Sequence, residues 1–366
     1  MLSICLSLAG WLTGWLFFGR NPNCARAAAE PLRNPSPSDA GPCEAAPVAM
    51  IIPARNEQAS LPHLLGSIRQ QLIQPAELLV VNDNSTDNTA AVARHAGATV
   101  INADPPPAGW HGKNWACHCG VRASTAPRLL FLDADTRFEP DGFRRILRCP
   151  TEPTGAFSVL PFHLVPRWQE QLSAVFNVLM AAGVGAFTPW HRLPDGLFGQ
   201  MLLIDRESYL AAGGHQSVRQ HVLENLHLAA HLRSRAIPIQ CKLGRGALSM
   251  RMYPGSFAEL VNGWAKGFAS GAGATSPLLL ALSIAWLSGA VIATTGPLRH
   301  CSYAALAIYC AYAAQFYILM RRVGSFRLLT AALYPIPLFF FFAVFGYAII
   351  RRGRHVSWKG RAVCVD

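Results

Sequence analysis

Three acidic motifs in the 366-residue chain have the residue types and spacing to do chemistry. In VVNDNSTDNT (80–89) an apolar run ends at Val81, and Asp83 follows at its carboxyl end. In IIPARNE (51–57) Pro53 is expected to stop a strand and Glu57 to enter the next turn. In FLDADT (131–136) Asp133 and Asp135 straddle one small residue. Two carboxylates that close repel unless protons or a divalent cation neutralise them. Mg2+ or Mn2+ takes oxygen ligands and usually shares them with substrate phosphates. Between the second and third motifs lies DPPPAGWHGKNWA (104–116), a proline-stiffened loop with one cation, Lys113. Lys113 reads either as a point charge facing a phosphate, base or sugar, or as a solvated lysine. Ser85, Thr86 and Asp87 have an ordinary explanation, because their oxygens can cap the helix that follows. Asp83 has no such need and is expected to point into a crevice. Together these residues describe a site for a metal-chelated nucleoside diphosphate. The chain has no G-x-x-x-x-G-K-[ST] and no G-x-G-x-x-G after its first strand, which argues against a P-loop and a dinucleotide site.

The elements that must hold these groups are legible as alternating short apolar runs and helical patterns. Strands are expected at 48–52, 77–81, 98–101 and 128–132, with helices at about 60–72, up to 97, and 139–147. This order implies a mostly parallel sheet covered on both faces. In such sheets ligands bind beyond the carboxyl ends of the strands, where the acidic motifs fall.

Composition points to a membrane. The chain is 51% hydrophobic and 14% charged, against about 25% charged in soluble domains. Its net charge is +12, and no basic cluster interleaved with aromatics marks a nucleic-acid module. Residues 1–19 carry no charge and are followed by Arg20, Arg26 and Arg33. This reads as an uncleaved anchor with the following chain in the cytoplasm; the rival is a signal peptide, which normally has a positive start. Residues 20–47, rich in proline, read as a linker, and residues 48–270 as the catalytic domain. The region 277–350 holds uncharged runs at 277–296, 301–320 and 328–350, the last with YPIP as a kink or re-entrant point. Basic residues flank that last run on both sides, so a simple span conflicts with the positive-inside rule; the tail 351–366 is assigned to the cytoplasm. Ten cysteines are scattered along the chain. Cys117 and Cys119, with His111 and His118, could be read as a metal site, but ordinary reduced thiols are preferred.

At these residues the chain resembles the inverting glycosyltransferases of family 2, which have the GT-A fold. IIPARNE, VVNDNSTDNT, GWHGKNWA, LFLDADT, AAGGH and LENLHLA carry the resemblance across about 48–270. GWHGKNWACHCG and the terminal WKGR are similar to the membrane-bound branch acting on lipids, including the diaponeurosporenoate (carotenoid acid) and hopanoid-associated glycosyltransferases. The resemblance implies an α/β GT-A domain with a Rossmann-like nucleotide-binding half and transmembrane helices at both ends. It implies an inner-membrane, multi-pass enzyme that moves one sugar from a UDP-sugar, UDP-glucose above all, to a lipid acceptor. Pro53, Glu57 and Asp83 would then face the nucleoside, Lys113 and Asp133 the donor, and Asp135 the Mg2+ or Mn2+. The family places its general base in a Glu-Asp or Asp-Asp pair, which here reads Glu224-Asn225. Three readings stay open: Glu224 is the base, the acceptor is a carboxylate that needs none, or activity is weakened. The Q/R-x-x-R-W motif of chain-polymerising synthases is reduced to NGWAKGF (262–268), leaving Trp264 and Lys266 on the acceptor side. Trp264 reads as a stacking surface or an interfacial anchor, and 167–187 as an interfacial or a core segment. The alternatives are a processive polysaccharide synthase and a catalytically weakened partner in a lipid pathway.

Overall fold

A computed structural model describes residues 2–24, 46–150, 152, 154–190, 194–299, 302–350, 355–358 and 361–364. Most of the expected linker therefore lies outside the described residues, as does part of the basic tail. The chain forms two compact units, one of Pro22–Phe162 and Gly196–Arg251, the other of Met1–Asn21, His163–Asp195 and Met252–Asp366.

The first unit carries the sheet. Its elements, in chain order, are β1 (Val48–Ala54), α2 (Leu61–Arg69), β2 (Glu77–Asn82), α3 (Thr89–His95), β3 (Thr99–Asn102), α4 (Gly112–Arg122), β4 (Arg128–Leu132) and β5 (Thr136–Phe138), with α1 reserved for the N-terminal helix below. Then come α5 (Gly142–Arg148), β6 (Ala156–Leu160) and β7 (Phe162–His163), and, after residues of the other unit, β8 (Met201–Asp205), α7 (Arg206–Ala211), α8 (Gly214–Ser217), α9 (Glu224–Ser234), β9 (Ile239–Leu243) and β10 (Leu248–Met250). Seven strands form one sheet in the order β3-β2-β1-β4-β8-β6-β9. β1 pairs in parallel with β2 and β4, β2 with β3, and β6 with β9, while β8 runs antiparallel to both β4 and β6. β4 is buried along its whole length, as its uninterrupted apolar sequence requires for a strand covered on both faces. Met50, Ile52, Leu64, Leu130, Phe143, Val159 and Leu203 join in one core. Gly120 lets α4 lie close on the sheet, since a Cβ there would meet Ile51 Cγ2 at 2.4 Å.

Two expectations are corrected here. Pro53 does not stop β1; it sits inside the strand in register with Val81, and pairing continues to Ala54. A proline forfeits one ladder donor, too little to end a strand buried between two neighbours. The first residues of the expected linker also pack against the sheet: Leu243 N–H donates to Pro22 O at 2.9 Å, and Cys24 is buried.

The second unit is helical: α1 (Leu2–Phe18), α6 (Ala174–Gly183), α10 (Phe257–Ala274), α11 (Pro277–Arg299), α12 (Tyr303–Val323), α13 (Leu328–Ala332) and α14 (Pro335–Ile350), followed by the hairpin strands β11 (His355–Trp358) and β12 (Arg361–Cys364). Among the described residues two helices are long and apolar enough to cross a membrane, over Pro277–Pro297 and Tyr303–Val323. The run 328–350 is broken at YPIP: α13 ends at Ala332, and α14 begins on Pro335, where a missing N–H costs nothing. Gly10 and Gly14 of α1 face α11 and α12: a Cβ on Gly10 would lie 2.6 Å from Ala285 O, and one on Gly14 2.6 Å from Gln315 Oε1. Small residues at this spacing let apolar helices approach closely. Gln315 and Tyr312 of α12, both buried, donate to Trp11 O at 2.7 Å and Ser7 O at 3.0 Å on α1. The segment 167–187 contributes α6 to the core of this unit, with Ala174, Phe176, Val178 and Ala182 buried.

Candidate active site

The carboxyl ends of β1 and β2 are locked to each other by the polar residues that follow them. Arg55 Nη1 donates to Asp83 O at 2.7 Å, and Asp83 N–H donates to Ala54 O at 2.9 Å. Asn56 and Asn84 both take left-handed backbone angles, φ +52°, which asparagine tolerates better than most residues. Asn56 Oδ1 accepts from Thr86 N–H at 2.8 Å, and Glu57 N–H donates to Thr89 Oγ1 at 2.8 Å. Asp87 accepts from Thr89 N–H at 3.0 Å and from Gln58 N–H at 3.1 Å. Burial works to raise the Asp87 pKa, but the bonds from Thr89 and Gln58 outweigh it and hold the value below the ordinary one. The polar run after Val81 thus serves mainly to tie two loops together. Asp83 is enclosed at the strand end, with 4% of its surface exposed.

Helix α4 supplies the cation. Lys113 sits in its first turn, and its Nζ lies 2.8 Å from Asp133 Oδ1 and 3.1 Å from Glu224 Oε1, while donating to Gly199 O at 2.9 Å. All three ammonium donors are therefore engaged, yet the side chain keeps 36% of its surface open. Burial disfavours the charged form, but the two carboxylates overcome it and raise the lysine pKa above its ordinary value. The solvated reading of Lys113 is thereby replaced: it is the bridge between the end of β4 and the start of α9.

The two carboxylates arrive from different elements. Asp133 follows β4, and its N–H donates to Gln200 O at 3.0 Å while Thr136 N–H and Oγ1 donate to its carbonyl at 3.1 and 2.7 Å. That tight turn carries Ala134 inward and leaves Asp135 half-buried, with its Oδ1 enclosed. Glu224 opens α9, where the helix dipole favours an anion. Asn225, next in sequence, donates from Nδ2 to Glu224 Oε1 at 2.9 Å, and its buried Oδ1 accepts no hydrogen bond among the described residues.

Other residues position the cluster. Asn114 Nδ2 donates to the carbonyls of Val218, Arg219 and His221 at 3.0, 3.3 and 3.1 Å, clamping the loop that leads into Glu224. His111 lies 2.9 Å from Gln220 O through Nε2. Behind α4, Tyr209 OH and His215 Nδ1 are 2.9 Å apart and buried. Burial, followed by the charge of Lys113, pushes the His215 pKa down to about 3, so the ring is neutral. Gly199 adjoins the cluster: a Cβ there would lie 3.2 Å from Asn225 Nδ2, 3.8 Å from Lys113 Nζ and 3.9 Å from Glu224 Oε1. Asn114 stood in the sequence beside Lys113 without a role of its own. Nothing in the sequence pointed to Gly199, because its importance comes from chain segments far apart in sequence.

The structure thus brings Lys113, Asp133, Glu224 and Asn225 into contact, with Pro53 in β1, Glu57 and Asp83 at the β1 and β2 ends, and Asp135 beside Asp133. Trp264 belongs to a core. It is 3% exposed, stacks on Phe176 at 4.7 Å, and donates to Ser173 Oγ at 2.9 Å. Its ring faces are spent on packing, which corrects its expected role as a stacking surface for acceptor or interfacial anchor. Lys266 lies two residues on in α10, half-buried. Cys117 is buried and its thiol pKa pushed up by that burial, as suits an inert thiol.

The donor chemistry of the Asp133–Asp135 turn fits Mg2+ or Mn2+. The ligands it offers are hard carboxylate oxygens. Among the described residues no group of three or more His, Cys, Asp or Glu side chains could hold an ion unaided. Such an ion would complete its shell from a bound diphosphate, the usual habit of these metals.

Comparison with known proteins agrees with this geometry. The family model described as glycosyl transferase family 2 matches residues 49–157. A 4,4'-diaponeurosporenoate glycosyltransferase of Staphylococcus aureus is 36% identical over 336 residues, covering 87% of this chain and 88% of that protein. Its counterpart from another strain is 35% identical over the same length. A mannosyltransferase from Pyrobaculum calidifontis, solved in complex with GDP-Man and Mn2+, shares the fold with a TM-score of 0.55 at 19% identity, over 95% of each chain.

Proposed function

The chain belongs to glycosyltransferase family 2 and is a glycosyltransferase, and we propose that it moves one sugar, with inversion, from a UDP-sugar, UDP-glucose first, to an isoprenoid lipid acceptor of the carotenoid-acid class. The observation that carries this reading is the Lys113 bridge between Asp133 and Glu224, set at the carboxyl end of a mostly parallel sheet. The 36% identity to a diaponeurosporenoate glycosyltransferase supports the acceptor class.

In this reading Pro53, Glu57 and Asp83 hold the nucleoside, which must lie against the β1 and β2 ends. Lys113 and Asp133 meet the donor's diphosphate and sugar. Asp135 holds the divalent ion, which when bound withdraws charge from the departing diphosphate. An acceptor oxygen attacks the anomeric carbon from the side opposite the diphosphate; the carbon–oxygen bond to the diphosphate breaks and its electron pair leaves with the nucleoside diphosphate. A hydroxyl acceptor would have to lose a proton to a base. Asn225 cannot take one, and Glu224 Oε1 is already engaged by Lys113 and Asn225. An acceptor carboxylate has no proton to lose, so it suits these residues best, and the product is a glycosyl ester.

In this reading the protein is a multi-pass inner-membrane protein with its catalytic unit cytoplasmic. The apolar helices α11 and α12 and the arginine that follows α1 support this. The close packing of α1 on α11 and α12 supports an uncleaved anchor, because removing α1 would strip Gln315 and Tyr312 of their acceptors. The test is to supply membranes with radiolabelled UDP-glucose, Mn2+ or Mg2+ and a bacterial lipid extract. Label should enter the organic phase, vanish with EDTA and vanish in Asp135→Ala. Label in a long water-soluble polymer would favour a processive synthase, and donor turnover unchanged in Asp135→Ala would favour a non-catalytic role.

A further inference from the structure

Trp168 keeps 72% of its surface exposed, although an indole gains as much from cover as any side chain. Its neighbours are of the same kind: Leu164 and Phe257 are exposed, and Leu328 and Leu329 are 66% exposed each. Hydrogen bonds join the three segments they belong to. His163 and Gly324 form a parallel bridge, Ser325 N–H donates to His163 O at 2.8 Å, and Val165 N–H donates to Ser325 Oγ at 3.0 Å. Arg327 Nη2 donates to Pro166 O at 3.0 Å, and Arg167 Nη1 to Pro254 O at 2.7 Å. Gln169 Nε2 donates to Gly255 O at 3.2 Å. The surface is therefore continuous, and backbone carbonyls hold its two exposed arginines in place.

The depth of this surface is set by α12. That helix is long and apolar enough to cross a membrane and ends at Val323, and the chain carrying Trp168 is bonded to the residues directly after it. Arg321 and Arg322 occupy its last turn, where basic residues mark the boundary of a span. Charge says which lipids suit it. Across 163–170, 254–259 and 321–329, Arg167 and Arg327 are exposed and Arg321 and Arg322 half-buried, against one exposed carboxylate, Glu259. Glu170 is buried and accepts from Arg167 N–H at 3.1 Å. We propose that this surface docks on the bilayer face and binds anionic phospholipid headgroups. Arg167 and Arg327 take the phosphate oxygens, while Trp168, Leu328 and Leu329 enter the boundary between headgroups and acyl chains. The inference rests on the reading of the chain as a multi-pass membrane protein. A guanidinium offers five N–H donors, so the bonds that fix each arginine leave others for a phosphate. Because those bonds already order two long side chains, binding a lipid does not have to. Indole and leucine side chains gain by entering that layer.

The experiment uses the full-length purified protein in phosphatidylcholine vesicles. Phosphatidylglycerol or phosphatidylcholine with brominated acyl chains is mixed in at rising mole fraction, and Trp168 emission is read as the difference between wild type and Trp168→Phe. Bromine quenches an indole only on close contact. Brominated phosphatidylglycerol should reach half-quenching at a lower mole fraction than brominated phosphatidylcholine. Each arginine should contribute about fivefold to the ratio of the two fractions, the effect of one basic residue near an anionic surface. Arg167→Gln and Arg327→Gln should each remove that factor, and raised salt should shrink it. Arg167→Lys with Arg327→Lys keeps the charge and should keep most of the preference, so the site stays testable if a glutamine variant does not fold. Equal quenching by the two lipids in wild type, or a preference that survives both glutamine substitutions, overturns the headgroup site. Trp168 emission that neither lipid quenches overturns the docking surface as a whole. Protein that a carbonate wash strips from the vesicles refutes the membrane-spanning reading itself, and the inference falls with it.

Discussion

Replacing Lys113 by methionine tests whether the ammonium is the keystone of the site. The side chain keeps its approximate length and loses its charge and three donors. At contact distances of 2.8 and 3.1 Å the gross attractions are about 6 and 5 kcal/mol at an effective dielectric constant of about 20. Desolvation offsets most of that. Breaking a fully buried pair costs about 3–5 kcal/mol and an exposed one about 0–1. Glu224 has 6% of its side chain exposed, Asp133 28% and Lys113 36%, so the triad lies between these limits. Discounted for that exposure, Lys113→Met should cost about 2 kcal/mol, or about 4–8 °C in the unfolding midpoint of a unit this size. Sugar transfer should fall at least a hundredfold, because Asp133 and Glu224 would repel each other with no cation between them. Lys113→Arg should recover part of the stability but little activity, since a planar fork cannot satisfy three acceptors arranged around one ammonium. Tryptophan-fluorescence melting and donor turnover measure the two effects. A Lys113→Met protein with wild-type melting and wild-type turnover would refute the reasoning.

Other expectations follow from the same contacts. Asn114→Ala strips a shared donor from three carbonyls; it should destabilise by about 1–3 kcal/mol and lower kcat, read by melting and transfer assays. Gly199→Ala places a methyl 3.2 Å from Asn225 Nδ2, so the amide must shift; activity should drop more than tenfold, and full activity would show that the close approach of Gly199 does not position the cluster. Because the Asp87 pKa is depressed in the fold, its contribution is present above the ordinary carboxylate value and lost as pH falls through the folded one. Melting of wild type should therefore decline more steeply than that of Asp87→Asn below about pH 4. Intact-mass measurement of the membrane-extracted protein should include residues 1–19, and Gly10→Leu should lower the amount of folded protein in membranes, since its side chain would strike α11.

The strands that position the site were legible because a parallel strand covered on both faces must be apolar throughout. VAMII, ELLVV and RLLFL announce themselves in that way. The reversal of β8 was not legible: MLLID is as apolar as its neighbours, and direction is set by the path of the chain rather than by composition. Pro53 misled because the local cost of a proline is real, but two flanking strands outweigh it. The acidic motifs were found from residue type and spacing, whereas the Lys113 bridge needed the fold, since residues 113, 133, 199 and 224 meet only in three dimensions. Trp264 shows the opposite limit. An aromatic near a motif looks like a ligand surface until its burial against Phe176 is seen.

The most direct test of the central claim is the chemistry of the product bond. Purified protein, a UDP-sugar labelled in the sugar, Mn2+ and a long-chain isoprenoid acid should yield a labelled lipid. Mild alkali should release that label as free sugar, as a glycosyl ester requires, and Asp135→Ala should form none. A labelled lipid stable to alkali would mean an acetal-linked glycoside made on a hydroxyl, and label that never enters lipid would contradict the account of this chain as a lipid-acid glycosyltransferase.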